Sequence, residues 1–322
     1  MMPRIAIIGT GVIGSSWAAL FAAHGHPVTA TDPRPNVVDD LRESVQRCWP
    51  SLERQGLVVE GATPDLITVA DSAAEAVEGA TFVQENAPER IELKHDLYRE
   101  IDRVTGPDVV IASSSSGLMA TDIQQACERH PERVVIGHPF NPPHLVPLVE
   151  VVGGNATSDA AVLAAMEMYA AIGKSPIHIR AELPGHVTNR LQAALWREAY
   201  WLVEQGVVSV AEVDRAIASG PGLRWALTGP FATQHLSGGE GGLAHVLEHL
   251  GPPMVAWWET LETAEWTPQL CTDVVAGMDD ELGGIDQQAM LDERDRLLEQ
   301  LVVAKAAARH LPGRNQPGSG AA

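Results

Sequence analysis

Three glycines spaced by two and then three positions, Gly9-Thr10-Gly11-Val12-Ile13-Gly14, separate the apolar run Ile5-Ala6-Ile7-Ile8 from the stretch Ser15 to Gly25. In that stretch Trp17, Leu20 and Phe21 recur at helical spacing, and a second apolar run, Val28-Thr29-Ala30-Thr31, then ends at Asp32. A short apolar strand, a glycine turn, a helix and a second strand closing on a carboxylate make a βαβ unit, which commits this part of the chain to a parallel sheet. The three glycines act differently. Gly9 permits the tight turn, Gly11 lets backbone amides approach a ligand, and Gly14 lets helix and strand pack closely. The helix N-terminus that follows offers unpaired N–H groups and a positive dipole end to an anion. Gly9, Gly11, Val12, Ile13 and Gly14 are therefore candidate contacts for the pyrophosphate of a dinucleotide. Asp32 is the candidate for the adenosine ribose hydroxyls. A carboxylate there repels a 2′-phosphate and favours NAD over NADP, with Arg34 the one neighbour that favours the phosphate. The competing reading of the segment is a turn that binds nothing.

Beyond Asp32 apolar strands and helices continue to alternate, with strands at Leu66 to Val69, Thr81 to Gln84, Val109 to Ala112, Val134 to Gly137, Val149 to Val152 and Ser175 to Ile179. Such alternation specifies a mostly parallel sheet covered by helices on both faces. From Gly185 onward helical periodicity takes over, with helices predicted at Val187 to Glu204, Val210 to Ile217, Ala244 to His249, Pro253 to Leu261 and Glu281 to Lys305. The fold class is thus α/β, a Rossmann-type domain over residues 1–184 followed by an all-α domain over residues 185–310. The stripe of Leu191, Leu195, Trp196, Ala199 and Leu202 is broad enough to suggest that the helical domain also pairs with a second copy. Residues 311–322 are small, polar and proline-rich, and read as an unpacked tail.

A formal net charge of −20 without any Lys/Arg cluster argues against nucleic acid and anionic membrane surfaces as partners. No apolar run reaches the roughly 18 residues of a membrane span, and the first strand begins too early for a cleaved signal, so a cytoplasmic protein is expected. Cys48, Cys127 and Cys271 form neither a disulfide framework nor a zinc pattern, and are expected to be reduced, structural thiols. A small molecule is the expected partner.

Four segments at strand ends or at the domain seam have the residue types for chemistry. Ser113-Ser114-Ser115-Ser116-Gly117 follows a strand, where hydroxyls either bond a substrate oxygen or simply cap turns. His138-Pro139-Phe140-Asn141-Pro142-Pro143-His144 presents His138 and Asn141 on a proline-stiffened backbone, and imidazole is the side chain suited to proton transfer near neutral pH. A zinc site built on His138 and His144 lacks a third ligand of fitting spacing, so no metal is expected. Glu150 interrupts the apolar run Val149 to Val152; an interior carboxylate is costly unless paired, and pairing with His138 would orient the imidazole and stabilise its cation. Facing water at a sheet edge is the alternative. Finally, Pro184-Gly185-His186-Val187-Thr188-Asn189-Arg190 enters the helical domain, with Asn189 one turn in.

Taken together these motifs resemble the 3-hydroxyacyl-CoA dehydrogenase family over nearly the whole chain, from Arg4 to about His310. The resemblance implies that His138 is the catalytic base and Glu150 its acidic partner, with Ser116 and Asn189 on the reacting oxygen. It also places Glu89 and Lys94 on the nicotinamide side of an NAD molecule, with Ser116 and Asn141 as further cofactor contacts. Val83 to Arg90, His138 to Pro142, Leu195 to Ala199 and Gly220-Pro221-Gly222-Leu223-Arg224-Trp225 are similar to the branch that acts on free hydroxy acids, the carnitine- and gulonate-type dehydrogenases and lambda-crystallin. A guanidinium such as Arg224 can hold a small carboxylate in two parallel hydrogen bonds, with Trp225 closing the pocket. Packing in a Gly/Pro turn is the alternative for that pair. The activity implied is NAD-dependent interconversion of a 3-hydroxy acid and its keto form. The same chemistry on a CoA thioester or ketoester, and a catalytically silent NAD-binding protein, are the alternatives.

Overall fold

The computed structural model describes residues 2–312, so the expected tail lies outside the described residues except for Leu311 and Pro312. The chain forms two compact units, residues 2–187 with Leu297–Val303, and Thr188–Arg296 with the residues from Ala304.

The first unit runs β1 (Ile5–Ile8), α1 (Val12–Ala23), β2 (Val28–Thr31), α2 (Val37–Arg54), β3 (Ile67–Val69), α3 (Ala73–Ala76) and β4 (Phe82–Glu85). It continues with α4 (Ile91–Val104), β5 (Val110–Ser113), α5 (Ala120–Gln124), β6 (Val134–Pro139), β7 (Leu148–Gly153), α6 (Asp159–Ala171) and β8 (Ser175–Ile179). The eight strands form one sheet in the order β3-β2-β1-β4-β5-β6-β7-β8. Every neighbouring pair is parallel except β6 and β7. Strands β1, β4, β5 and β6 are buried at every residue because helices cover both faces, which is why they read as continuous apolar runs rather than alternating ones. Chain order reverses between β1 and β4, and open sheets of this kind bind ligands outside the carboxyl ends at such a switch point.

Helix α1 is buried from Gly14 to Ala23, as a helix apolar all round must be. Its Trp17 and Phe21 pack with Phe82 and Tyr169, ring centroids 5.4 to 6.1 Å apart. Burying one such ring contributes about 2–3 kcal/mol. The Tyr169 hydroxyl donates to Gln84 Oε1 at 2.6 Å, Gln84 Nε2 donates to Ser114 Oγ at 2.9 Å, and Ser114 Oγ donates to Asn86 Oδ1 at 2.7 Å. This chain of bonds satisfies polar groups in the middle of the sheet. It also explains Gly137: a Cβ there would lie 2.0 Å from the Tyr169 hydroxyl.

The second unit contains α7 (Thr188–Glu204), α8 (Val210–Ala218), α9 (Pro221–Ser237), α10 (Gly242–Trp258), α11 (Pro268–Leu282) and the ends of α12 (Gln287–Ala307), whose segment Leu297–Val303 belongs to the first unit. Segment 221–237, in which a Gly/Pro turn was the competing reading for Arg224 and Trp225, is helical. Pro221 sits in the first helical turn, where its missing N–H costs nothing, and the non-helical Gly229 before Pro230 absorbs a kink. The two short helices predicted at Ala244 and Pro253 are one, α10, continuing through Pro252 and Pro253. Helix α11 has no counterpart in the sequence reading, although Thr267 caps it by accepting from Leu270 N at 3.1 Å. No helix among the described residues is long and apolar enough to cross a membrane.

Tyr169→Phe is expected to cost about 1–3 kcal/mol, because it strands the buried Gln84 amide oxygen. Chemical denaturation of the two proteins measures this directly.

Candidate active site

Gly9 follows β1 with φ of +86°, and a Cβ there would meet Asn86 O at 2.8 Å, so no other residue fits this turn without displacing β4's end. Gly14 is tighter still, since its Cβ would fall 1.8 Å from Gly9 O. At Gly11 the situation is the opposite: a Cβ would meet nothing within 4 Å, and Gly11 caps α1 with no side-chain hydrogen bond. Open space in front of uncapped helix amides is what a pyrophosphate requires, so the turn fits a dinucleotide. Val12 and Ile13 supply the first helical amides, and Val12 is exposed.

Asp32 is tied to the same turn. Its Oδ2 accepts from Thr10 N at 2.8 Å, and its Oδ1 accepts from Arg34 N at 3.0 Å and Arg34 Nε at 2.8 Å. Burial opposes the charge on Asp32, but the Arg34 guanidinium and the amides of Thr10 and Arg34 outweigh it, holding the carboxyl below its usual range. Arg34 is thus spent on Asp32 rather than displayed for a phosphate.

Strands β6 and β7 pair antiparallel with His138 directly opposite Glu150. The His138 Nδ1–H donates to Glu150 Oε2 at 2.9 Å, and Glu150, with no exposed surface, also accepts from Val187 N at 3.0 Å. This buried pair answers the question the sequence leaves open about Glu150: it faces the imidazole, not water. With Nδ1–H donating, a neutral ring carries its lone pair on Nε2. The loop after β6, which contains a cis Asn141–Pro142 peptide, is held by His144 N donating to Ser16 Oγ at 2.8 Å and Gln55 Nε2 donating to His144 O at 3.1 Å. Lys174 donates to the carbonyls of Pro143 and Val146, and burial pushes its pKa down to about 7. Asn141 is exposed on this loop.

The serine turn after β5 carries Ser116, which is exposed, while Ser115 is buried. Glu89 gathers the turn, its Oε1 accepting from Ser115 Oγ at 2.6 Å, Gly117 N at 2.7 Å and Leu118 N at 3.1 Å. Burial works against the Glu89 charge, and those donors outweigh it, so its pKa falls. Lys94 is 1% exposed and donates to both Glu85 oxygens, at 2.7 and 2.9 Å, and to Ala87 O at 3.1 Å. Sequence reasoning missed Glu85, a charge at the end of an apolar strand that carries the same signal as Glu150.

In the helical unit, Asn189 stands in the first turn of α7. Arg224 and Trp225 lie on α9, and Arg224 lines a hollow of about 300 Å³ with Leu227, Thr228, Thr233, Leu236 and Ser237.

A doubly wound sheet whose switch point carries this glycine turn and acidic strand end has the form of a dinucleotide-binding domain. The family profile described as "3-hydroxyacyl-CoA dehydrogenase, NAD binding domain" matches residues 4–182, and "3-hydroxyacyl-CoA dehydrogenase, C-terminal domain" matches residues 185–271. The chain belongs to the 3-hydroxyacyl-CoA dehydrogenase family. It is 50% identical over 293 residues to an L-carnitine dehydrogenase of Streptomyces coelicolor, covering 91% of this chain and 92% of that one. To an L-carnitine dehydrogenase of Bacillus cereus it is 42% identical over 315 residues, covering 98% and 95%. Among solved structures, 5-formyl-3-hydroxy-2-methylpyridine 4-carboxylic acid 5-dehydrogenase, an NAD+-dependent dismutase, superposes with a TM-score of 0.83 at 30% identity, covering 96% of this chain and all of that one. The protein is an NAD-dependent dehydrogenase acting on the CH–OH group of a hydroxy acid.

Gly14→Ala forces α1 away from the turn and is expected to weaken NADH binding by about tenfold or more, a loss of roughly 1.4 kcal/mol. Fluorescence titration with NADH measures it, and circular dichroism shows whether the fold is retained.

Proposed function

We propose that the protein oxidises a small, free 3-hydroxy acid, with L-carnitine the first candidate, and that His138 and Glu150 are its proton-transfer pair. The buried hydrogen bond from His138 Nδ1 to Glu150 Oε2, with Nε2 left free to accept, is the observation that carries this reading. In the oxidation direction His138 Nε2 takes the substrate's hydroxyl proton, and Glu150 offsets the charge that then develops on the ring. NAD, when held by the glycine turn and Asp32, would supply the hydride acceptor. Ser116, whose hydroxyl stands exposed at the rim of the serine turn, and Asn189 position the reacting oxygen and stabilise its growing negative charge as the proton leaves. Glu89 and Lys94 build the wall on the nicotinamide side, Glu89 by gathering the serine turn and Lys94 by fixing Glu85 and the Ala87 carbonyl. Asn141 adds a contact from the loop after β6.

Arg224 is assigned to the substrate carboxylate. It stands at a hollow whose other walls are hydroxyls and leucines, small enough for a free acid. Trp225, 41% exposed, offers a π-face that suits a quaternary ammonium. The L-carnitine dehydrogenases at 42–50% identity favour this substrate over a CoA thioester. The same helical unit exposes Trp196, Trp257 and Trp258 at 51%, 62% and 64%, which supports a homodimer formed through it. Sedimentation at micromolar concentration tests that assembly.

Turnover of L-carnitine, L-gulonate, 3-hydroxybutyrate and 3-hydroxybutyryl-CoA with NAD distinguishes the substrates, and exclusive use of the CoA ester overturns the free-acid reading. His138→Ala is expected to lower kcat by roughly 10²–10⁴-fold with NADH affinity nearly unchanged. Wild-type turnover in that variant removes His138 from the mechanism. Arg224→Met is expected to raise KM for the acid about tenfold or more while kcat changes little, the pattern of lost ground-state binding.

A further inference from the structure

His186 has no part in the chemistry assigned above, yet it touches most of it. It follows Gly185, and the two residues hold consecutive left-handed conformations, φ of +77° and +51°. A non-glycine residue in that region is strained, and such strain persists only where the surroundings impose it. The turn it makes aims the next amide, Val187 N, at Glu150 Oε1. His186 is only 3% exposed, and its ring centroid is 5.3 Å from that of His138. One ring nitrogen, Nε2, lies 3.3 Å from the Ser115 carbonyl oxygen. A carbonyl only accepts, so Nε2 carries the proton and donates. The other nitrogen, Nδ1, is buried with no hydrogen-bond partner among the described residues. A proton on Nδ1 would be a buried, unsatisfied cationic donor, which the site penalises. Burial, the largest effect, lowers the pKa of His186; the Ser115 carbonyl opposes it, His138 adds to the lowering, and Glu150 and Glu89 oppose it more weakly.

We propose that His186 is a positioning residue of the proton-transfer site: a neutral imidazole that ties the serine turn to the His138–Glu150 pair. Its Nε2–H holds the Ser115 carbonyl, and with it the backbone that presents Ser116. Its ring backs His138, and its backbone turn delivers the amide that fixes Glu150. Neutrality is essential to the arrangement. An uncharged neighbour leaves His138 free to become cationic as it accepts the substrate proton, where a second cation would oppose that step. This role rests on the proposed function, because it matters only if His138 exchanges a proton.

The test compares the full-length His186→Phe and His186→Gln proteins with the wild type in NADH affinity, kcat and KM, using the acid the wild type oxidises best. Phenylalanine keeps the bulk and loses the donor; glutamine places an amide N–H where Nε2 stood. Both side chains meet the same left-handed backbone, so that cost cancels between them. His186→Phe is expected to lower kcat about tenfold or more with NADH affinity and KM nearly unchanged, and His186→Gln to recover most of the loss. Nitrogen-15 spectra of labelled histidines in the NADH complex, assigned with the two variants, are expected to show His186 neutral with its proton on Nε2 at pH 7. Wild-type kcat in His186→Phe, equal impairment in both variants, or a cationic His186 overturns the proposal. If no acid of the panel is oxidised by the wild type, the functional reading fails, and the spectrum alone still decides the state of His186.

Discussion

A carboxylate with no exposed surface, placed in the middle of an apolar strand, is the constraint on which the site depends. Left alone, Glu150 would cost several kcal/mol or would simply be protonated. The fold instead supplies it with two donors, the His138 imidazole and the Val187 amide. The first follows from one departure in an otherwise parallel sheet. Because β7 runs antiparallel to β6, a connection of a few residues suffices, and a residue near the end of β6 faces one near the start of β7. In a parallel sheet the connection between those strands would need a helix, and the pair would arise from distant parts of the chain.

The same economy governs the cofactor turn. The chain carries a net charge of −20, yet it binds a dinucleotide that is itself anionic. Rather than cations, the turn uses backbone: Gly9 and Gly14 press together so that α1 starts close to β1, and Gly11 leaves its amide face open. Arg34, the cation at the end of β2, pairs with Asp32 and fixes its orientation.

Much of this was legible in the sequence, and the limits have physical causes. Strands β1, β4, β5 and β6 read as apolar runs because both their faces are covered, and the glycine spacing with Asp32 placed the cofactor turn. Glu150 stood out because a charge inside such a run demands a partner, and His138, at the end of the preceding strand, was the candidate. The helical unit was read less well. Gly220-Pro221-Gly222 left a turn open as the alternative, whereas Pro221 opens α9, and the predicted helices at Ala244 and Pro253 are one helix, α10, that runs through Pro252-Pro253. Those helices draw their stability from packing, which local propensity does not contain. Pairings between elements were equally hidden. Nothing in the chain's order announces that Lys94 is spent on Glu85, or that His186 reaches the Ser115 carbonyl.

The reversal of β7 has a further consequence for how rigidly the pair is held. His138 and Glu150 are separated by a rung of backbone hydrogen bonds inside an eight-stranded sheet, with further strands on either side. Their spacing changes only if the sheet itself opens between β6 and β7. Any change in their spacing is therefore a change in the sheet, not a movement of one side chain.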